Sequence, residues 1–507
     1  HNDHIAWGMT NVGADVQDLY RITINPDNPL QYLWDGEWRD MTVREETIEF
    51  GDGEPPVTFQ VRETHLGPII NDNQIDEETG EILGFNNEDP LALRWTGLDV
   101  NTVSQAVYLI NRAQNWAEFR EALSYWDVPS QNFVYADVQG NIGYQMPGRI
   151  PYRAADHDGL TPADGSSSEY EWRGYVPFDS LPRIYNPERG FIVTANQAVV
   201  PPEFYEDLNE KLGGDVNSRF SYDWSYGFRG QRIHELMNGL APYSIDDFRT
   251  IQGDNLNISA REMLPYLGTI TFDDETLTAA QAWLQTWDFR NDMDSAQAAL
   301  FSIFSARLIN NIYNDQLPED VEASGLQMWP IYVMLDEPDN PWWDDVNTED
   351  VVETPEDIFR RSFEEAHQQA IELMGEDISQ WRWGALHTAT FVSNPLGLSG
   401  ISVIENMVNR GPVETGGGFE IVNATGWSTS EGDFIVRSLP SMRVIYDVGD
   451  FDNSLSIHTT GQSGHPFSEH YGDMIDMWRN IEYRPMPFTR RAVEDATVDR
   501  LVLSPAD

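Results

Sequence analysis

The hydrophobic period changes twice along this chain, and that restricts the fold more than any other feature. From His1 to about Val200 the apolar residues fall in short or alternating runs, such as Val57–Val61, Leu91–Trp95 and Asn132–Tyr135, punctuated by Gly, Pro, Asn and Asp. This part predicts mostly strands. Between about Ser244 and Gly375 the period becomes helical. Ile358, Phe359, Phe363, Ala366, Ala370, Ile371 and Met374 share one face of a helix predicted over Pro355–Met374. Thr354 is placed to cap its start, with Asp357 three residues on and Pro355 at the first helical position, and Gly375 suits its end. A second helix is predicted over Ala296–Tyr313. After Trp381 strand-like runs return (Thr388–Val392, Gly418–Val422, Phe434–Val436, Met442–Tyr446), ahead of the polar, glycine-bearing stretch Gly461–Tyr471. The expectation is an α+β or α/β sandwich, with a mostly β core over 1–243, a helix-rich segment over 244–380 and a return to the β core over 381–507. Asp336–Glu356, acidic and proline-rich, reads as a surface loop.

A chain of 507 residues, 40% hydrophobic and 12% aromatic, buries a substantial core as one large unit or two domains. No run approaches the roughly 18 consecutive apolar residues of a membrane span. With no cysteine, disulfides, thiolate metal sites and a cysteine nucleophile are excluded. The formal charge is −53, from 84 acids against 31 bases, and Lys211 is the only lysine. Nucleic acid and anionic membrane are disfavoured partners for such a chain. Because the acids are spread along the sequence, they form a uniformly solvated surface, which suits a high-salt environment.

Most local motifs have a bland reading. Gly461-Gln462-Ser463-Gly464-His465 has a glycine two residues before the serine but lacks the one two residues after it that a nucleophile elbow requires, since Gly464 is adjacent and His465 follows, so Ser463 reads as part of a turn. Asn71–Asp76 lacks the glycine of a calcium loop and reads as an exposed polar loop. His465 and His470 sit five apart in a glycine-bearing loop without helical support for metal binding, and His387 reads as a hydrogen-bonded core histidine. Gly416-Gly417-Gly418 lacks the spacing of a dinucleotide fingerprint. Asp15-Val16-Gln17-Asp18 puts two carboxylates and a carbonyl where a calcium shell can begin, although solvated acids are the plainer reading. Asn196 follows the apolar run Phe191–Ala195 and can be a turn-former or a donor to a developing oxyanion, with the turn the reading that sequence physics favours.

Taken together, several segments resemble the penicillin amidase family of N-terminal-nucleophile hydrolases. The opening His1–Asn11 with Asp15–Tyr20 is similar to the family's HN-x-x-IAWG-x-TN…D-x-QDLY signature. Gln131–Asp137 with Gly140–Tyr144, Trp172–Gly174 through Leu181-Pro182, Asn186-Pro187 with Gly190–Gln197, Tyr222–Trp224 with Arg232-Ile233, and Gly461–Gly464 with Ser468–Tyr471 follow in the family's order. The resemblance implies a four-layer αββα sandwich and an N-terminal serine, exposed by autocatalytic cleavage, whose α-amine acts as base. That serine attacks an amide carbonyl to form an acyl-enzyme. On this sequence it implies the backbone oxyanion donor at Asn11, the side-chain donor at Asn196, the ordering arginine at Arg232, and a structural calcium at Asp15, the carbonyl of Gln17, Asp18 and Asp223. It also implies an acyl-amide substrate such as a penicillin or an N-acyl-homoserine lactone, an α subunit from the same precursor, and a periplasmic or extracellular home. Position 1 is His and matches the interior of the motif, so the resemblance places the nucleophile upstream and reads the chain as a fragment inactive alone. A non-catalytic ligand-binding homologue is the alternative, and a processing junction in the upstream coding sequence discriminates the two.

The charge balance predicts a melting midpoint that rises with KCl or NaCl, because at molar salt the Debye length falls to about 3 Å and screens the self-repulsion. A midpoint indifferent to salt removes the high-salt expectation.

Overall fold

Strand Gln131–Asp137 illustrates how alternation builds the first part of the molecule. Phe133 and Tyr135 point to one face, where they pack with Ile110, Phe119 and Leu123 from the helices Val103–Ile110 and Trp116–Leu123. The opposite face meets Val12, Tyr144, Met146, Ile150 and Phe220. The strand is central in a four-stranded antiparallel sheet ordered Ile5–Asn11, Gln131–Asp137, Ile142–Gln145, Arg183–Tyr185. Its turn is set by Asp137, whose Oδ1 accepts from the N–H groups of Gln139 and Asn141, and by Gly140 at φ 85°. A second sheet runs Gln17–Arg21 antiparallel to Leu91–Trp95 and parallel to the short strand Ala163–Asp164.

The computed structural model describes residues 1–507 apart from 52, 54, 319–320, 322–327, 430–431 and 506–507. It divides into two compact units, His1–Ser225 and Tyr226–Asp507. The core of the second is helical. Helix Ala296–Tyr313 is buried almost all round and packs on Pro355–Met374, whose Ile358, Phe359, Phe363, Ala366 and Ala370 are buried. Both helices have their predicted bounds. Thr354 and Asp357 form a reciprocal capping box and Gly375 ends the helix at φ 86°.

Two expected strands are absent. Gly418–Val422 is a turn, with Gly418 at φ 159° and Glu420 at φ 59°, and its apolar character serves to bury Ile421. Phe434–Val436 runs beside strand Thr388–Phe391 through a Val436 N–H to Thr388 O bond of 3.0 Å without forming a ladder. The Asp336–Glu356 loop is anchored by Trp343, which is buried in the helical core. His387 is a core histidine. It stacks on Trp383 at 4.4 Å, donates from Nδ1 to the carbonyl of Phe434 at 2.7 Å, and places Nε2 3.0 Å from Thr425 Oγ1.

Burial pushes the His387 imidazole down to about 4. An unfolded imidazole binds its proton near 6.5, so between these values the unfolded state holds more protons than the native one. The contribution is intact above about pH 6.5 and is lost as pH falls toward 4, reaching about 3 kcal/mol. His387→Asn is expected to lose less stability than the parent between pH 7 and pH 5, read as the difference between the two midpoint-against-pH curves; parallel curves contradict this.

Candidate functional site

Strand Ile5–Asn11 ends at Asn11, whose carbonyl turns out of the ladder and accepts two side-chain amides. Asn196 Nδ2 donates to it at 2.7 Å and Asn132 Nδ2 at 3.1 Å. Asn196 adopts φ 64°, the left-handed region in which asparagine is the most tolerant residue after glycine. Its neighbours hold it there. Gln197 Oε1 accepts from Ala195 N–H at 2.7 Å and Gln197 Nε2 donates to Val193 O at 3.2 Å, clamping the turn, while Asn196 O accepts from Ser225 N–H at 3.0 Å. The two residues expected to bind an oxyanion, far apart in sequence, are thus in direct contact.

The acidic loop is split between two environments. Asp15, Gln17 and Asp223 line one cavity of about 400 Å³, together with Gly13, Gly159 and Tyr222. Asp18 instead faces inward, where Arg153 binds it in bidentate fashion through Nε at 2.8 Å and Nη2 at 3.0 Å, and Trp172 Nε1 donates to the same carboxylate. Arg153 also reaches Asp15 at 3.0 Å. Burial pushes the Asp15 carboxyl up, against the opposing pull of Arg153. Gly159, at φ 79°, lets the chain cross this cluster; a Cβ there would stand 2.8 Å from Asp18 Oδ1 and 2.9 Å from Asp15 Oδ2. Among the described residues no three His, Asp or Glu side chains gather as a metal cluster. A cation in the cavity would therefore draw on Asp15, Asp223 and carbonyl oxygens such as that of Gln17, which suits a hard, oxygen-seeking ion.

In the second unit, Arg232 projects from helix Phe228–Met237 and is gripped by Asp254, with Nε to Oδ1 at 2.8 Å and Nη2 to Oδ2 at 3.0 Å; Nη1 reaches Glu235 at 3.3 Å. The Asp254 hydrogen bonds raise the guanidinium pKa further, so its charge is permanent. Asp254 is itself buried.

The bland motifs stay bland. Ser463 Oγ accepts from His465 N–H at 3.1 Å inside a turn closed by Ser463 N–H to His470 O at 3.0 Å. Asp76 folds back on the N–H groups of Glu78 and Thr79. Asp72, however, is not exposed: it forms a buried pair with Arg62 at 2.7 Å. Asn132 and Trp172 entered the sequence reading only as members of longer stretches, with no role of their own, and Arg153 and Asp254 did not enter it. For Asn132 a signal existed, a polar residue at the head of an apolar run; for the other three none did.

The model of the family described as Penicillin amidase matches residues 1–495. The chain belongs to the penicillin amidase family. An acyl-homoserine lactone acylase of Pseudomonas aeruginosa is 28% identical to it, with 100% of this chain and 62% of the relative covered. A penicillin acylase 2 proenzyme of a Pseudomonas species is 27% identical, covering 99% of this chain and 61% of the relative. The chain therefore spans about three fifths of the curated relatives it matches. Among solved structures, a thermostable penicillin G acylase from Alcaligenes faecalis shares the fold at TM-score 0.70 and 21% identity, over 100% of this chain and 89% of that one. Membership accounts for the mixed α and β content of both units.

Proposed function

We propose that this chain is the larger part of the catalytic subunit of an amide hydrolase that cleaves a linear amide of an acylated amine through an acyl-enzyme. The observation that carries the reading is the 2.7 Å bond from Asn196 Nδ2 to the carbonyl of Asn11, which brings together the side-chain and backbone donors that the reaction needs. In the proposed reaction a serine hydroxyl supplied upstream attacks the substrate carbonyl. Its proton passes to the serine's own α-amine, and the carbonyl oxygen becomes an oxyanion that accepts from the Asn11 N–H and the Asn196 amide. Collapse expels the amine, which takes the proton, and water then hydrolyses the ester. Arg232 is read as the ordering arginine, its plane set by Asp254. The names of the relatives support a penicillin, an N-acyl-homoserine lactone or a related acyl amide as substrate. We assign the α subunit of the same precursor as partner, and a periplasmic or extracellular home.

We further propose structural calcium in the cavity of Asp15, Gln17 and Asp223, with Asp18 holding the loop from behind through Arg153. Chelation is expected to lower the melting midpoint of the processed protein and added calcium to restore it; a midpoint unmoved by both overturns this assignment.

For the reaction, the processed full-length protein is expected to release free amine from at least one member of a panel of aryl-acetyl and fatty-acyl amides, and the 507-residue chain alone to release none. Asn196→Ala is expected to lower kcat about 10²–10³-fold, the usual cost of one oxyanion donor. Binding without turnover by the full-length protein would favour the ligand-binding homologue instead.

A further inference from the structure

Asn132 is the one polar side chain on its face of the central strand that reaches the proposed oxyanion donors, and it is 1% exposed. Its hydrogen bonds are directional. Nδ2 donates to Asn11 O at 3.1 Å and to Thr10 Oγ1 at 3.2 Å, and Oδ1 accepts from Tyr144 OH at 2.7 Å. A carbonyl can only accept, so the amide nitrogen must face Asn11 and the amide oxygen must face the phenol; the flipped amide would set oxygen against oxygen.

We infer that Asn132, held in orientation by Tyr144, is a positioning residue for the pair of oxyanion donors, an inference that rests on the amide-hydrolase reading. The N–H of Asn11 lies between the Thr10 side chain and the Asn11 carbonyl along the chain, and Asn132 binds both. It therefore fixes the torsions on either side of that N–H. Asn132 also shares the Asn11 carbonyl with Asn196, an oxygen whose two lone pairs can accept both amides. An amide nitrogen carries two hydrogens, so pinning one of Asn196's on this carbonyl sets the direction of the other. One buried asparagine thus aligns both donors, and because the Tyr144–Asn132 relay is neutral, the oxyanion gains no competing charge. A fixed donor matters because it costs no reorganisation when charge develops.

The fold alone does not call for an amide here. Its strand neighbour on the same face is Val134, which packs against Tyr144's cluster, and apolar residues at 132 and 144 together would fill this face without a buried polar group to satisfy.

The test uses the processed full-length enzyme and an acyl amide that the parent cleaves. Tyr144→Phe keeps the ring and removes only the phenol donor; Asn132→Ser removes the amide. Tyr144→Phe is expected to lower kcat about 10-fold and Asn132→Ser about 10²-fold, with KM within about twofold, the pattern of a misaligned transition-state contact. In an Asn196→Ala background both factors are expected to shrink, because the relay acts partly through the same carbonyl; a merely structural residue would give the same factor in both backgrounds. Melting midpoints are measured alongside. Unchanged kcat in both variants, factors independent of Asn196, or losses of kcat that only track the folded fraction each overturn the inference while leaving the hydrolase reading in place. A parent enzyme inactive on the whole acyl-amide panel removes both.

Discussion

The antiparallel register between Ile5–Asn11 and Gln131–Asp137 is the constraint on which the contacts of Asn11, and the chemistry proposed for them, depend. It pairs Thr10 with Asn132 and Asn11 with Gln131. Because side chains alternate across a sheet, a slip of one residue would send Asn132 to the helix-covered face and bring Phe133 under Asn11. The slip is opposed from both faces at once. Phe133 and Tyr135 are committed to the helices, and Tyr144 is fixed opposite Val134 by the following hairpin. The same packing that stabilises the sheet therefore positions the polar residue beside the strand end, and no separate device is required for it.

Scarcity of positive charge shapes how the rest is held. With 31 bases against 84 acids, few cations are available, and Arg62 and Arg153 are nonetheless fully buried. Each is met by a bidentate carboxylate, Asp72 for Arg62 and Asp18 for Arg153, and each joins segments that no ladder connects directly. A guanidinium's planar fork matches a carboxylate in one orientation only, so such pairs specify geometry as well as offsetting desolvation. Removing one partner would leave a buried charge unpaired, a loss typically of about 3–5 kcal/mol. Arg443 marks the contrast: among the described residues its acceptors are only the carbonyl of Trp478 and the amide oxygen of Asn423, and burial lowers its pKa.

What the sequence made legible follows from the range of the forces involved. Helix Pro355–Met374 was readable to the residue because its cap, its first-turn proline, its apolar face and its terminal glycine are all local. Asn11 and Asn196 were readable as members of a family pattern, whereas the physics at Asn196 alone favoured a turn. The structure shows the left-handed turn, and that turn directs the amide at the Asn11 carbonyl. Gly418–Val422 was misread because its apolar residues face a core across a turn rather than alternate along a strand. The pairings of Arg153, Trp172 and Asp254 were invisible for a different reason: their partners lie 135, 154 and 22 residues away, and nothing in a linear pattern records which polar group will meet which.

The clamp at Gln197 joins these points. A left-handed asparagine costs on the order of 1 kcal/mol or more, and such a conformation persists only where its surroundings over-determine it. Here Gln197 ties both sides of the turn, Ser225 bonds the Asn196 carbonyl and Asn11 receives the amide. Four hydrogen bonds at one turn, two of them made by Asn196 itself, exceed what a connecting loop requires. Their common effect is to hold the Asn196 amide on the Asn11 carbonyl, the kind of preorganisation that its proposed role as a donor to developing charge requires.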